Sequence, residues 1–169
     1  MIKVVVAGAA GRMGCRLVSL VKDSTALMLV GALEGKGHPA LGEDSGEFAG
    51  SGRAGVPITE DLSALMERGE VVVDFSSPEA TLDHMRTVAR SRRAAVIGTT
   101  GFSPDQLDEL KTLTQHIPCV FSPNMSVGIN LLYKVISEMA KTLGDDYDIE
   151  VIEAHHRLKK DAPSGTALK

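Results

Sequence analysis

Ile2-Lys3-Val4-Val5-Val6-Ala7-Gly8-Ala9-Ala10-Gly11-Arg12-Met13-Gly14 is the stretch whose reading decides the fold. Its first six residues form an apolar run rich in β-branched side chains, which suits a strand buried on both faces of a parallel sheet. Glycines end the run. Beyond them Met13, Leu17, Leu20 and Val21 recur at helical spacing, with Arg12, Lys22 and Asp23 on or near the polar side, so an amphipathic helix follows. The next apolar run, Leu27 to Leu33, completes a βαβ unit and stops at Glu34.

The three glycines of the turn have separate tasks. Gly8 permits the tight turn, Gly11 lets backbone approach a diphosphate, and Gly14 lets the helix pack closely. The diphosphate would sit on free N–H groups at the helix N-terminus, where the macrodipole favours negative charge. The spacing is GxxGxxG, with Ala10 where a GxGxxG pattern has its second glycine, and such a pattern alone also describes a turn that binds nothing. Glu34 adds context, standing 20 residues beyond Gly14 at a strand end, where a carboxylate can accept hydrogen bonds from ribose hydroxyls. A solvated strand end is its other reading.

The alternation continues outward. Gly35 to Gly55 holds seven glycines with Pro39, Ser45 and Ser51, and is expected to be a mobile loop without a lasting regular element. A helix from about Asp61 leads to a strand at Val71 to Phe75, and Ser77-Pro78-Glu79 opens another helix, with serine as cap and proline in the first turn. A third unit has a strand at Ala94 to Ile97, a helix capped at Ser103-Pro104-Asp105 and a strand at Pro118 to Phe121. Strands alternating with helices predict an α/β, Rossmann-type, doubly wound parallel sheet. After Asn124 the rhythm changes to a longer amphipathic helix, about Gly128 to Leu143, and then a strand at Asp148 to Ala154. The division expected is a dinucleotide-binding domain at 1–126 and an incomplete α+β substrate domain at 127–169.

In a parallel sheet the carboxyl ends of all strands share one edge, so segments following later strands face the same crevice as the glycine turn. Asp74-Phe75-Ser76, Gly98-Thr99-Thr100-Gly101 and Ser122-Pro123-Asn124-Met125 are those segments, with small or hydrogen-bonding residues that let a nicotinamide ring lie close to backbone. Each could instead merely turn the chain.

Composition narrows the function classes. The chain has 18 basic and 22 acidic residues, a net charge of −4, and so no global positive field for nucleic acid or anionic membrane. Cys15 and Cys119 lie far apart without CxxC spacing, which indicates neither a zinc site nor a disulfide framework. No apolar stretch approaches spanning length and the N-terminus runs straight into a strand-like segment, so a soluble, cytoplasmic protein is expected.

The densest chemistry lies in Glu153-Ala154-His155-His156-Arg157-Leu158-Lys159-Lys160-Asp161-Ala162-Pro163-Ser164-Gly165-Thr166. Cationic side chains precede a Pro-Ser-Gly-Thr that should open a helix, an arrangement that suits a small carboxylate, although a solvated basic loop has the same charge count. Adjacent histidines in extended chain point to opposite faces and no third ligand follows, so no metal site is expected.

This segment resembles the signature of dihydrodipicolinate reductases. Gly-Ala-x-Gly-Arg-Met-Gly at the N-terminus, Asp74-Phe75-Ser76, Gly98-Thr99-Thr100-Gly101 and Ser122-Pro123-Asn124-Met125-Ser126-Val127-Gly128 resemble the same family in the same order. The resemblance implies reduction of 4-hydroxy-tetrahydrodipicolinate, a cyclic dicarboxylate, to tetrahydrodipicolinate with NADH or NADPH, in lysine and diaminopimelate biosynthesis. It implies that His155 is the acid/base residue, that Lys159 donates a proton, and that His156, Gly165 and Thr166 bind substrate carboxylate. Gly8, Ala9, Ala10, Gly11, Arg12, Met13, Glu34, Gly98, Thr99, Thr100, Ser122, Pro123, Asn124 and Met125 would contact the cofactor. It also implies a homotetramer. The chain departs from the family at Gly35-Lys36, where members often carry an arginine for a 2′-phosphate, and at Lys169, beyond which members continue. Residues 1–169 alone are therefore expected to bind dinucleotide without appreciable turnover, with the 163–166 helix start fraying. A related small-substrate dehydrogenase and a nucleotide-binding module without turnover are the competing readings.

Overall fold

The computed structural model of the chain describes residues 1–155, 157 and 163–168. They fall into two compact units, Met1–Phe121 and Ser122–Lys169. In the first, strands β1 (Ile2–Ala7), β2 (Leu27–Leu33), β3 (Ile58–Thr59), β4 (Val71–Asp74), β5 (Ala94–Ile97) and β6 (Cys119–Phe121) alternate with helices α1 (Arg12–Lys22), α2 (Ser45–Phe48), α3 (Leu62–Met66), α4 (Pro78–Arg90) and α5 (Pro104–Thr114). The second carries α6 (Val127–Leu143), a 3₁₀ turn at Gly144–Asp146 and α7 (Gly165–Leu168).

All six strands join one parallel sheet in the order β3-β2-β1-β4-β5-β6. The chain winds outward from β1 in one direction and from β4 in the other, so the order reverses between these two central strands. β1 shows why: Val4 and Val6 pack into one apolar cluster with Val18 and Val21 of α1, while Val5 and Ala7 pack into the other with Leu82, Met85 and Val88 of α4. Alternate side chains of a strand point to opposite faces, and both faces here are covered, which favours a central position. Register then aligns the carboxyl ends, with Ala7 paired to Leu33 and Asp74, Asp74 to Ile97, and Ile97 to Phe121.

The predicted helix starts form as capping chemistry requires. Ser77 Oγ accepts from Ala80 N with Pro78 in the first turn, and Ser103 and Gln106 close a reciprocal capping box.

The glycine-rich 35–55 segment departs from expectation, because it contains α2 and is tied down by one side chain. Asp44 accepts backbone hydrogen bonds from Gly46, Glu47, Ala54 and Gly55. The Lys22 ammonium of α1 also donates to Ser51 O. Glycines relax the backbone enough to wrap a carboxylate, so their number signalled a wrapped anion rather than an unstructured chain.

In the second unit, α6 forms where the apolar periodicity placed it, and its apolar side chains Leu131, Val135, Met139 and Leu143 line an open groove of about 500 Å³. The strand expected at Asp148 to Ala154 does not form, since no described strand of this unit offers it a ladder and an isolated strand leaves its backbone groups unpaired. Conversely, the helical turn expected to fray is present as α7, held by Ser164, whose carbonyl and hydroxyl oxygens both accept from Ala167 N. No helix among the described residues is long and apolar enough to cross a membrane.

Candidate functional site

The carboxyl end of β1 opens into a cleft of about 530 Å³ lined by Gly8, Gly11, Arg12, Met13, Gly14, Arg16 and Phe75. Backbone geometry there requires the glycines. Gly8 has φ +68°, and a Cβ on it would touch Ser76 Cβ at 3.6 Å. A Cβ on Gly14 would sit 1.9 Å from Gly8 O and 2.7 Å from Ala9 Cα, so α1 can lie against the turn only without a side chain. Gly11 precedes α1 with extended backbone and no side-chain cap, and Gly11 N donates to Gly8 O at 3.0 Å. The first-turn amides of such a helix end are available to an anion.

Two guanidinium groups, Arg12 and Arg16, line the same cleft one helical turn apart. Arg16 was not among the sequence-derived candidates, yet its i, i+4 spacing from Arg12 on a helix that starts at the glycine turn is a legible signal. Ala9 is buried beneath the turn, whereas Ala10 faces Glu34. Glu34 Oε1 accepts from Ala10 N at 2.9 Å and its Oε2 from Gly35 N at 3.1 Å. Its carboxylate therefore borders the glycine turn, and Lys36 is exposed.

At the neighbouring strand ends, Phe75 lies over Gly98, where a Cβ would fall 1.9 Å from the ring. Asp74 is fully buried at the end of β4. Its Oδ1 accepts from both the backbone N (2.9 Å) and Oγ (2.6 Å) of Ser76, and its Oδ2 lies 2.7 Å from His84 Nδ1. Burial alone would raise this carboxyl, but the hydrogen bonds from His84 and Ser76 outweigh it and hold the group below the usual carboxylate range. Thr81 Oγ1 continues the chain to Ser76 Oγ at 3.3 Å and to Thr99 Oγ1 at 2.8 Å. Sequence reading singled out Asp74, Ser76 and Thr99 but missed Thr81 and His84, whose i, i+3 spacing on α4 puts both on one face. Thr100 is exposed beside them.

In the second unit, Asn124 links the segment before α6 to α7. Its Oδ1 accepts from Ser126 N (2.9 Å), its Nδ2 donates to Thr166 Oγ1 (3.0 Å), and its carbonyl accepts from Ser122 Oγ (2.7 Å). Pro123 and Met125 flank it, both exposed, and Gly165 begins α7. Glu153, another residue missed from sequence, joins the two ends of the basic segment by accepting from Ser164 N at 2.8 Å and meeting His155 Nε2 at 2.8 Å. The hydrogen bonds from Ser164, then His155, bring its carboxyl down to about 2. An anionic Glu153 can fix the orientation of the His155 ring. His156 and Lys159 lie outside the described residues.

A doubly wound parallel sheet with its glycine turn at the reversal of strand order defines a Rossmann-type α/β protein. The chain belongs to the dihydrodipicolinate reductase family: the family profile described as "Dihydrodipicolinate reductase, N-terminus" matches residues 2–125, and that described as "Dihydrodipicolinate reductase, C-terminus" matches residues 128–169. Over all 169 residues the chain is 51% identical to a 4-hydroxy-tetrahydrodipicolinate reductase of Syntrophus aciditrophicus (strain SB) and 46% identical to one of Citrifermentans bemidjiense, covering 63% of each relative. Among solved structures, a dipicolinate-bound dihydrodipicolinate reductase from Paenisporosarcina sp. TG-14 superimposes with TM-score 0.72 at 31% identity over 99% of this chain and 63% of that one. The chain thus spans somewhat under two thirds of the length of these relatives.

Proposed function

We propose that this chain is the dinucleotide-binding domain (1–126) and part of the substrate domain (127–169) of a cytoplasmic 4-hydroxy-tetrahydrodipicolinate reductase, acting in lysine and diaminopimelate biosynthesis. The observation that carries the reading is the 51% identity to a relative of that name, continuous through both family segments. In the overall reaction one reduced nicotinamide and one proton are consumed, a hydride reaches the substrate, and the ring hydroxyl leaves as water.

The residues present fit a dinucleotide. A cradle that any Cβ at Gly14 would fill, the uncapped start of α1 and two arginines in one cleft suit a diphosphate, and a tethered carboxylate at Glu34 suits ribose hydroxyls. Gly8, Ala9, Ala10, Gly11, Arg12, Met13 and Glu34 would hold that end, and Gly98, Thr99, Thr100, Ser122, Pro123, Asn124 and Met125 the nicotinamide end, with NADH or NADPH supplying the hydride. His155, steadied by Glu153, serves as acid/base and Lys159 as proton donor, while His156, Gly165 and Thr166 take a substrate carboxylate. A small cyclic dicarboxylate is supported by the dipicolinate in the solved relative. A homotetramer is the expected assembly of the complete polypeptide. Residues 1–169, with 148–154 outside any strand and the groove of α6 open, are expected to bind dinucleotide without appreciable turnover.

Calorimetric titration of NADH and NADPH into residues 1–169, and oxidation of either cofactor by the complete polypeptide given the cyclic hydroxy-dicarboxylate, test the reading. Micromolar binding with substrate-dependent oxidation is expected. Absence of oxidation in a folded complete polypeptide would overturn it.

A further inference from the structure

The buried hydrogen bonds at the carboxyl edge of β4 have a direction that chemistry determines. An ionised Asp74 can only accept, so Ser76 Oγ must donate its single proton to Oδ1. Ser76 Oγ is then left as an acceptor, and Thr81 Oγ1 donates to it. The Thr81 proton is thereby committed, so Thr99 Oγ1 donates to Thr81 Oγ1. On the other side His84, 19% exposed, presents Nδ1–H to Oδ2, which assigns its tautomer. Each of these groups has its protons spoken for in one order only. The chain crosses from α4 to the turn after β5, and Asp74, Thr81 and Thr99 are at most 3% exposed, so water cannot replace a missing partner cheaply.

We infer that Asp74, backed by His84 and relayed through Ser76 and Thr81, is the positioning residue for the Gly98–Thr100 turn: the one-way hydrogen-bond chain holds that turn in the conformation that receives the cofactor. The cofactor part rests on the function proposed above, whereas the holding of the turn does not. A second tie runs in parallel, since Gly98 N donates to the Asp74 carbonyl oxygen at 2.9 Å. With Phe75 packed on Gly98, the turn after β5 takes its position from Asp74 at the end of β4 and from Phe75 and Ser76 just beyond it. Asp74, Ser76, Thr81 and His84 need not touch the cofactor to matter; loss of the relay leaves a buried hydroxyl without its acceptor and frees the turn.

The deciding variants are Thr81→Val, which keeps the shape and removes the relay, and Thr81→Ser, which restores the hydroxyl. Asp74→Asn is a third, but a buried anchor of this kind can cost the fold itself. Amide hydrogen exchange of residues 1–169 without cofactor reads the turn directly. Exchange at Gly98 is expected to quicken about tenfold in Thr81→Val, the effect of leaving one buried partner unsatisfied. Exchange at Val4 to Val6 should be unchanged, and Thr81→Ser should behave as wild type. In parallel, the Kd for NADH should rise about tenfold in Thr81→Val and stay within about twofold in Thr81→Ser. Wild-type exchange at Gly98 in Thr81→Val would overturn the inference whatever the cofactor does. Faster exchange with unchanged NADH affinity would overturn its cofactor part, and failure of the wild type to bind NADH would count against the proposed function while the exchange result still decides whether the chain holds the turn.

Discussion

Glu34 Oε1 accepts a hydrogen bond from Ala10 N at 2.9 Å, so the acidic end of β2 is fastened to the turn at the end of β1. The same carboxylate accepts from Gly35 N through its other oxygen. A side chain held at both oxygens cannot swing aside for a 2′-phosphate, and Gly35 brings no guanidinium to meet one. NADH is therefore expected to bind at least as well as NADPH, with exposed Lys36 the only cation adjacent in sequence. Glu34→Ala should weaken NADH by roughly tenfold or more, as loss of hydrogen bonds to a charged acceptor implies, and should weaken NADPH less. Titration calorimetry on both cofactors checks this; an NADPH Kd more than about tenfold below that of NADH in the wild type would contradict the role given to Glu34.

Gly14 and Gly35 offer a paired test of the turn. Gly14→Ala drives a methyl into the backbone of Gly8 and Ala9, where nothing flexible can yield. Overpacking of that kind costs about 1–3 kcal/mol, and a fall in Tm of roughly 3–10 °C is expected. A Cβ at Gly35 meets nothing within 4 Å, and Gly35→Ala should stay within about 0.5 kcal/mol of wild type. Thermal unfolding of both variants side by side would show the contrast, and equal Tm values would refute it.

Asp44 gives the 44–55 segment a dependence on acid. Its carboxyl is lowered from 3.8 to about 2, chiefly by the hydrogen bond from Ala54 N, which together with those from Glu47, Gly55 and Gly46 outweighs the opposing effect of burial. A folded value below the unfolded one means stabilisation that is present above the unfolded value near 3.8 and is lost as pH falls through about 2. The carboxyl carbon resonance of Asp44 should titrate with a midpoint near 2, and protection of the Gly46, Ala54 and Gly55 amides should decline over the same range. A midpoint close to 4 would mean that the four hydrogen bonds do not persist in solution.

For the basic segment, His155→Ala and Lys159→Ala in the complete polypeptide are expected to lower turnover by about 10²- to 10⁴-fold, the usual contribution of a placed acid or base, with little change in cofactor Kd. Glu153→Ala should lower kcat by about tenfold through the His155 ring it no longer steadies, again without moving cofactor affinity. Steady-state kinetics beside cofactor titration separates these effects; rates within threefold of wild type for both His155→Ala and Lys159→Ala would remove them from the chemistry.

Much of the first unit was legible because its signals are local. An apolar β-branched run before glycines, serine caps at Ser77 and Ser103, and helical recurrence in Met13 to Val21 each state an element within one turn or strand, and the elements stand within a residue or so of those readings. The position of Glu34 relative to the glycine turn could be read from the βαβ unit itself. What escaped were side chains whose purpose depends on a partner far along the chain. Thr81 and His84 look like ordinary helix residues until β4 delivers Asp74 beneath them, and Glu153 looks like a strand residue until Ser164 returns to it.

The sequence by itself determined the βαβ alternation apart from α2 and the short edge strand β3, the buried faces of β1, the conformational freedom at Gly8 and the dense chemistry of 153–166, because periodicity, capping and glycine sterics act between near neighbours. Tertiary structure alone decided that the 35–55 segment wraps Asp44, that 148–154 carries no ladder, and that the turn after β5 hangs on a chain of hydroxyls ending at a buried carboxylate. Hydrogen-bond partners across 10 or more residues depend on where the sheet brings backbones together, and that placement follows from packing both faces of the sheet at once rather than from any one segment.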